Sequence, residues 1–256
     1  MFVACHTLCF AREPLESALR HIAELEFNKY ELAVIEGSLH LSPSEVADDL
    51  DAVVQRLRSG PSLTPSGLTL GFGDLDPASP VYRKRFDAAC RLAKATTVAV
   101  LTMEAAPLGT PFDVEVKRLT ALANKASAEG LVLSVATHSA TLTADPDAAV
   151  ALCQAVPGLG LTLDPSHYIQ GPHKGGSYDQ VFPYVQNVCL RDTGRDPAAF
   201  QVRIGQGEIE YGKVLGQLER AGYNRSLTVS MEDRPDSPFE IEVEVRKLKL
   251  LLESQI

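Results

Sequence analysis

Thr97-Val-Ala-Val-Leu-Thr-Met103 is an uninterrupted run of apolar and β-branched residues. It lacks the alternation of polar and apolar residues that is typical of a strand with one face in water. Leu131-Val-Leu-Ser-Val135 repeats the pattern further along the chain. Strands that are apolar on both faces belong to parallel sheets, because helices cover both sides of such a sheet. These runs therefore predict an α/β fold with a buried parallel sheet.

Runs of this kind recur eight times in the 256 residues, roughly every 32 residues. They lie at 2–6, 30–35, 67–71, 97–103, 131–136, 160–164, 185–190 and 226–231. Amphipathic helical patterns lie between most of them; one begins at Ser42 and ends at Ser59-Gly60-Pro61. Each unit is long enough for a strand, a helix and two loops, which a parallel crossover requires. We predict a single (β/α)8 TIM barrel, one domain over residues 1–256, since about 250 residues is typical of that fold.

A doubly wound open sheet is the alternative fold, but no G-x-G-x-x-G follows the first run, so no nucleotide cofactor is expected. The chain carries 24 Lys and Arg against 33 Asp and Glu, a formal charge of -9, without the basic block that nucleic acid binding requires. It also lacks a run of about 18 apolar residues, so we expect no membrane partner. Five scattered cysteines suit reduced thiols, and Met1-Phe-Val-Ala-Cys-His6 lacks the positive region of a signal peptide. We expect a cytoplasmic protein.

In a (β/α)8 barrel the function lies at the carboxyl ends of the strands, where the loops converge over one cleft. Polar residues predicted at these ends are His6, Glu31, Glu36, Asp74, Asp76, Glu104, Thr137, His138, Asp164, His167, Cys189, Arg191, Asp192, Glu232, Asp233 and Arg234. Each alone is equally compatible with a cap or a turn. Their convergence at one end is what predicts a site there.

Asp164-Pro-Ser-His167 is the sharpest local motif, because a carboxylate and an imidazole follow the same buried strand. Such a pair suits two ligands of a divalent ion or a base with its orienting partner, and an Asp that only caps the turn is the other interpretation. His138 offers another imidazole, or a side chain that only hydrogen-bonds to backbone. Arg203 precedes Gly205 and Gly207, so its guanidinium suits a phosphate, a carboxylate or vicinal hydroxyls, with a surface salt bridge as the alternative.

Six segments carry a resemblance to a known family. They are Glu26-Phe-Asn-Lys-Tyr-Glu-Leu32, Gly130-Leu-Val-Leu-Ser-Val-Ala-Thr-His138, Gly160-Leu-Thr-Leu-Asp-Pro-Ser-His167, Asn187-Val-Cys-Leu-Arg-Asp192, Gly205-Gln-Gly-Glu-Ile-Glu210 with Leu218-Glu-Arg-Ala-Gly-Tyr223, and Leu227-Thr-Val-Ser-Met-Glu232. In this order they resemble the xylose isomerase-like TIM-barrel superfamily, in particular its sugar phosphate isomerases and epimerases. The resemblance covers nearly the whole chain.

The resemblance implies a divalent metal held by Glu, Asp, His and Glu at the ends of strands 5 to 8. Only the Asp is matched, by Asp164, while Ala136, Cys189 and Ser230 stand at the positions of the other three ligands. Side chains two positions apart share a face of a strand, so His138 and Glu232 lie one step beyond two of the replaced ligands. One interpretation is therefore that His138 and Glu232 take the place of two missing ligands in a rebuilt metal site.

Under that interpretation, we expect the following roles. The catalytic candidates are His138, Asp164 and Glu232; the substrate-binding candidates are His6, His167, Arg191 and Arg203; the metal-binding candidates, for Mn, Mg, Zn or Co, are Asp164, His167, Cys189 and Glu232.

The implied function is that of an isomerase or epimerase of sugar metabolism, acting on a small polyhydroxylated, carbohydrate-like substrate at the carboxyl end of the barrel. Its divalent-metal site would be incomplete or rebuilt. The alternative is a catalytically degenerate barrel that binds a small molecule or a partner protein. An abasic-site endonuclease would need a multi-metal cluster and a basic groove, both hard to find here. A homo-oligomer formed through helix faces stays possible.

Overall fold

The computed structural model describes residues 1–256, apart from the side chain of residue 197. Eight parallel strands close into a barrel in chain order, which confirms the predicted (β/α)8 TIM barrel. The strands are β1 (Phe2–His6), β2 (Lys29–Ile35), β3 (Thr64–Gly71), β4 (Val100–Glu104), β5 (Val132–Ala136), β6 (Gly160–Leu163), β7 (Val185–Leu190) and β8 (Ser226–Val229).

Helices surround the barrel and bury their apolar stripes against it. They are α1 (Leu15–Glu24), α2 (Pro43–Asp48), α3 (Leu50–Arg58), α4 (Pro80–Ala95), α5 (Phe112–Ala128), α6 (Pro146–Ala155), α7 (Pro165–Gln170), α8 (Tyr211–Arg220) and α9 (Ile241–Glu253). Among the described residues, no helix combines the length and the apolar character needed to cross a bilayer.

Several element bounds differ from the sequence-based predictions, and two of the differences have a clear physical cause. Strand β4 begins at Val100 rather than at residue 97, because Thr97 has a positive φ of 59° in the turn that ends α4. The Thr97 amide donates to the carbonyl of Lys94 at 3.2 Å, so the first residue of the apolar run belongs to the turn that ends α4. The helix predicted from Ser42 onward is broken at Asp49, whose side chain caps α3 by accepting from the amide of Ala52 at 2.9 Å.

The barrel interior is polar and is held by hydrogen bonds that reach every strand. The fully buried carboxylate of Glu31 accepts from the Thr69 hydroxyl at 2.7 Å and from the Asn187 amide at 3.0 Å. The other members, linked to these three by side-chain hydrogen bonds, are His6, Thr102, Ser134, Thr162 and Ser226. Because buried polar groups are costly unless they are bonded, this network fixes the packing of the strands beneath the site.

We expect His40, in the loop between β2 and α2, to make the stability of the protein depend on pH. Its Nε2–H donates to the carbonyl of Phe10 at 3.1 Å, and its buried Nδ1 has no hydrogen-bond partner among the described residues. Burial lowers the pKa of His40 and outweighs the opposing effects of the Phe10 and Glu13 backbone groups; among nearby charges, Arg56 lowers this pKa and Glu16 raises it. The neutral ring is therefore the folded form.

The unfolded chain takes up the proton near the ordinary histidine pKa of about 6.5, but the folded chain does not. We therefore expect stability to fall as pH drops below about 6.5, and His40 contributes up to about 1.4 kcal/mol per pH unit. Urea unfolding of the wild type and of His40→Gln, whose amide can still donate to Phe10, measures this contribution. The variant should show a shallower loss between pH 6.5 and 5, and equal slopes would contradict the assignment.

Candidate functional site

Three charged side chains meet at the carboxyl ends of β6, β7 and β8. Arg191 continues the inward-facing alternation of Asn187 and Cys189, which carries it to the centre of the barrel mouth. Its Nε donates to Asp164 Oδ2 at 3.2 Å, Nη2 donates to the same oxygen, and Nη1 donates to Glu232 Oε1 at 2.9 Å. We call Asp164, Arg191 and Glu232 the ion triad.

Arg191 is 6% exposed, and its guanidinium carbon lies 4.7 Å from the ring centre of Phe200. Burial lowers the pKa of Arg191, but the neighbouring carboxylates of Asp164 and Glu232 raise it by more, so the side chain stays charged. Burial also raises the pKa of Glu232, and Arg191 and Arg234 lower it below its usual value. The triad is therefore fully ionised, and its two carboxylates and one guanidinium sum to a net charge of −1.

Asp164 has both oxygens occupied. Oδ1 accepts from the amide of Ser166 at 3.0 Å and from its hydroxyl at 2.5 Å, so Asp164 caps α7, while Oδ2 receives Arg191. Burial raises the pKa of Asp164, but Arg191, His167 and the Ser166 hydrogen bonds lower it below the ordinary value. Asp164 therefore has both of the predicted roles: Oδ1 caps the helix, and Oδ2 takes part in the site.

His167 and His138 pack against each other beside the triad, with ring centres 4.3 Å apart and ring planes tilted by 41°. The Nδ1 of His167 accepts from the amide of Ser139 at 3.2 Å, which places the ring proton on Nε2, 3.8 Å from Asp164 Oδ2. Burial lowers the pKa of His167 to about 4, although Asp164 opposes the shift. His138 accepts from the amide of Ala140 at 3.1 Å through Nδ1, which leaves its Nε2–H free among the described residues.

Small, partly exposed side chains line the mouth of the barrel: Ala136, Cys189 and Ser230. Ala136 pairs in register with Thr162 and with Glu104, whose exposed carboxylate makes no ion pair within the described residues. Because neighbours in a parallel register point to the same face, these groups open onto one space. We call the residues Glu104, Ala136, His138, Cys189 and Ser230 the mouth.

The donors at the strand ends do not fit a divalent metal. Asp164 has no free oxygen, and Ala136 and Ser230 supply no carboxylate. Cys189 would have to bind as a thiolate, but burial and the carboxylates of Glu31 and Asp164 hold its pKa well above the ordinary value. Among the described residues, no three His, Cys, Asp or Glu side chains form a group that could hold a metal ion, the four candidate ligands included.

The remaining candidates lie apart from the mouth. His6 is 3% exposed below it and is held by Thr69 and by the amide of Leu8, so neither ring nitrogen is free. Arg203 lies outside the barrel, where it contacts the buried Glu244 at 3.5 Å. Asp192 accepts from four backbone amides, including those of Gly205 at 2.8 Å and Gly207 at 3.1 Å, and thereby holds the loop after β7.

Sequence reasoning missed several residues that position the site. Ser139 orients His167, Phe200 covers Arg191, and Gln201 bonds both the amide and the carbonyl of Glu232, at 2.6 and 3.0 Å. The loop positions of these neutral residues give no sequence signal for such contacts. Arg234 follows β8 as expected, and its Nε donates to Glu232 Oε2 at 2.6 Å.

Comparison with known proteins agrees with this architecture. The sequence profile described as "Xylose isomerase-like TIM barrel" matches residues 19–251, whereas no curated protein matches the chain by sequence. A xylose isomerase domain protein from Alicyclobacillus acidocaldarius superposes with a TM-score of 0.79 at 18% identity, over 100% of this chain and 98% of that chain.

A xylose isomerase-like TIM barrel protein from Mycobacterium smegmatis, solved in complex with magnesium, gives 0.76 at 16% identity, with 99% and 97% of the two chains covered. L-ribulose 3-epimerase gives 0.75 at 14% identity, with 100% and 94% covered. These identities establish a shared fold, and the profile match establishes the family. The chain belongs to the xylose isomerase-like TIM barrel family.

Proposed function

We propose that this protein binds a small polyhydroxylated, carbohydrate-like ligand in the mouth of the barrel without a divalent metal. The observation that carries the proposal is the ion triad. The Arg191 guanidinium lies between Asp164 and Glu232, at the strand ends where the family resemblance places the metal. An internal cation therefore supplies the positive charge at this point.

The mouth has the chemistry that hydroxyl groups require. His138 Nε2–H is a donor, the Glu104 carboxylate is an acceptor, and the Ser230 hydroxyl is both. The ring of Phe200, which is partly exposed beside Arg191, offers an apolar face to the C–H side of a sugar ring. A polar rim around a small apolar surface is the usual composition of such a site.

Filling the mouth should weaken ligand binding. In Ala136→Leu the larger side chain occupies the space shared by Glu104 and Ser230, so we expect at least about a 10-fold loss of affinity for any sugar that binds the wild type. Isothermal titration against a panel of aldoses, ketoses and polyols measures it. Ala140→Leu is the matched control, because Ala140 is exposed beyond the end of β5. Equal affinity in the wild type and Ala136→Leu would place the ligand elsewhere.

Metal ions should leave both stability and ligand binding unchanged. Addition of Mn²⁺, Mg²⁺, Zn²⁺ or Co²⁺ stabilises a folded protein only if the ion binds it, in proportion to the logarithm of its concentration. We expect the same melting temperature and the same sugar affinity in EDTA and in each metal salt. Stoichiometric metal in the purified protein, or a concentration-dependent rise in melting temperature, would overturn the metal-free site.

A metal-independent isomerase or epimerase is the second candidate function. Glu104 and His138 flank Ala136 with a free carboxylate and a free ring nitrogen, and moving a proton between adjacent carbons requires an acid and a base. Such an enzyme would incorporate solvent deuterium into its substrate, and NMR in D₂O detects this exchange. Loss of exchange in Glu104→Gln supports catalysis, whereas binding without exchange in the wild type supports the binding function alone.

A further inference from the structure

A pocket lies between the loops after β1, β7 and β8. It has a volume of about 520 Å³, and its wall carries the arginines Arg12, Arg203 and Arg234. We call it the arginine pocket. The chain links it directly to the ion triad, because Arg234 binds the same Glu232 carboxylate that binds Arg191.

Each of the three guanidiniums keeps N–H groups that no described residue uses. Arg12 donates from Nε to Asp233 at 2.7 Å, which leaves both of its terminal nitrogens free. Arg203 makes one side-chain hydrogen bond, from Nη1 to Glu244 at 3.5 Å, and Arg234 uses Nε and Nη2 on Glu232. All three side chains are about half exposed. Several donors from separate loops therefore remain available around one space.

The amino end of α9 opens into the same pocket, since Glu240 and Ile241 line it. This 13-residue helix has no side-chain cap, so its first amides are not satisfied by a capping group. The free amides and the dipole of a helix attract negative charge at this end. The helix thus adds neutral donors to the charged ones.

Carboxylates behind the arginines balance part of their charge. Asp233 and Glu244 lie on the inner side and are 7% and 0% exposed, so they orient the guanidiniums and do not face the pocket. Lys247 also bonds Glu244, at 2.7 Å. Glu240 is the exposed carboxylate in the lining, and it opposes an anion there. The pocket is therefore rich in directed donors but is not strongly positive.

We propose that the arginine pocket binds the phosphate group of a phosphorylated carbohydrate whose hydroxyl-bearing part lies in the mouth. Planar guanidiniums match phosphate oxygens in pairs, and three of them from three loops can surround one such group. The loops after the seventh and eighth strands are also where barrels of this fold commonly bind phosphate. The inference rests on the proposed polyhydroxylated ligand and names its class.

Inorganic phosphate is the first probe, because it tests the pocket without any sugar. Titration followed by ³¹P NMR and by protein chemical shifts should show saturable binding that weakens with added salt. Arg12→Gln should weaken it about 10-fold, since one charge-assisted pair of hydrogen bonds is lost. Arg83→Gln is the matched control and should bind as the wild type does, because Arg83 is exposed on α4.

Glu240→Gln provides the test that misfolding cannot imitate. Removing the carboxylate from the lining should tighten phosphate binding several-fold, while a structural defect would weaken it. No saturable binding in the wild type overturns the pocket. Equal phosphate affinities in the wild type, Arg12→Gln and Glu240→Gln would mean that the bound phosphate is an adventitious ion only. That result would also overturn the proposed phosphate site.

A paired panel of sugars and their phosphates then tests the link to the mouth. We expect a sugar phosphate to bind at least about 10-fold more tightly than the same sugar, with the difference removed by Arg12→Gln and retained in Arg83→Gln. If a sugar binds but its phosphate does not bind more tightly, the inference fails and the proposed function stands. If inorganic phosphate binds but no sugar or sugar phosphate does, the proposed function fails.

Discussion

Arg191→Met should cost about 3–5 kcal/mol of unfolding free energy, because it removes one partner from a buried ion pair and leaves the other uncompensated. Asp164 would keep the Ser166 hydrogen bonds on Oδ1 but lose every donor from Arg191 on Oδ2. Methionine retains much of the apolar stem of the Arg191 side chain, so the lost charge accounts for most of the effect. Urea unfolding at neutral pH measures the loss.

A double-mutant cycle separates the ion pair from the packing. Arg191→Met with Asp164→Asn should recover a large part of the loss, since a neutral amide is far cheaper to bury than an unpaired carboxylate. The deficit of the single variant should also shrink on acidification, because an unpaired buried Asp164 would take up a proton more readily than the unfolded chain does. Arg83→Met, a substitution of an exposed arginine, is the control and should cost less than about 0.5 kcal/mol. An equal cost for both variants would contradict the triad.

The architecture was predictable from the sequence because its signal is repeated and local. Continuous apolar runs at regular spacing require parallel strands with crossover helices, and all eight runs overlap observed strands. The bounds of the elements were less predictable where one apolar run includes both the end of a helix and the next strand. Thr97 and Val98 look like strand residues, yet their amides bond back to Lys94 and Ala93 and end α4. Asp49 looks like a helix residue, yet it caps α3.

The location of the site was predictable from the sequence, but the hydrogen bonds within it were not. Strand-end spacing brought Asp164, Arg191 and Glu232 to one place, but the sequence does not say that Arg191 bonds both carboxylates. Pairing depends on side-chain direction at the ends of three strands, which only the closed barrel fixes. Glu31 is an example in the opposite direction. Its carboxylate was predicted near a strand end, but it lies in the barrel interior and accepts hydrogen bonds from Thr69 on the neighbouring strand β3 and from Asn187 on β7.

The loop after β7 joins the two parts of the proposed site. It carries Arg203 to the arginine pocket and is held by the carboxylate of Asp192, which accepts from the amides of Gly205 and Gly207. A Cβ at Gly207 would lie 2.0 Å from Asp192 Oδ1 and 2.6 Å from the carbonyl oxygen of Thr193. The backbone oxygen cannot swing away as the end of a flexible side chain does. Glycine is therefore required here by close approach rather than by a positive φ.

Gly207→Ala should destabilise the protein by about 3 kcal/mol, because the methyl group displaces the loop from Asp192 and disrupts these backbone hydrogen bonds. Gly216→Ala is the matched control: Gly216 lies inside α8, and a Cβ there would meet nothing within 4 Å. The control should stabilise the protein by about 0.5–1 kcal/mol, as alanine does at an unhindered helical position. The same Gly→Ala substitution should thus lower the unfolding free energy at position 207 and raise it at position 216. Urea unfolding of both variants measures these changes.

The same pair of variants tests whether the loop serves the arginine pocket. Displacing the loop moves Arg203 away from Phe239 and Glu244, which hold it in place. Phosphate affinity should therefore fall in Gly207→Ala, measured at a temperature where the variant is fully folded, and should be unchanged in Gly216→Ala. A destabilised Gly207→Ala that binds phosphate as the wild type does would show that Arg203 contributes nothing to the pocket, because stability and binding would then respond to different parts of the loop.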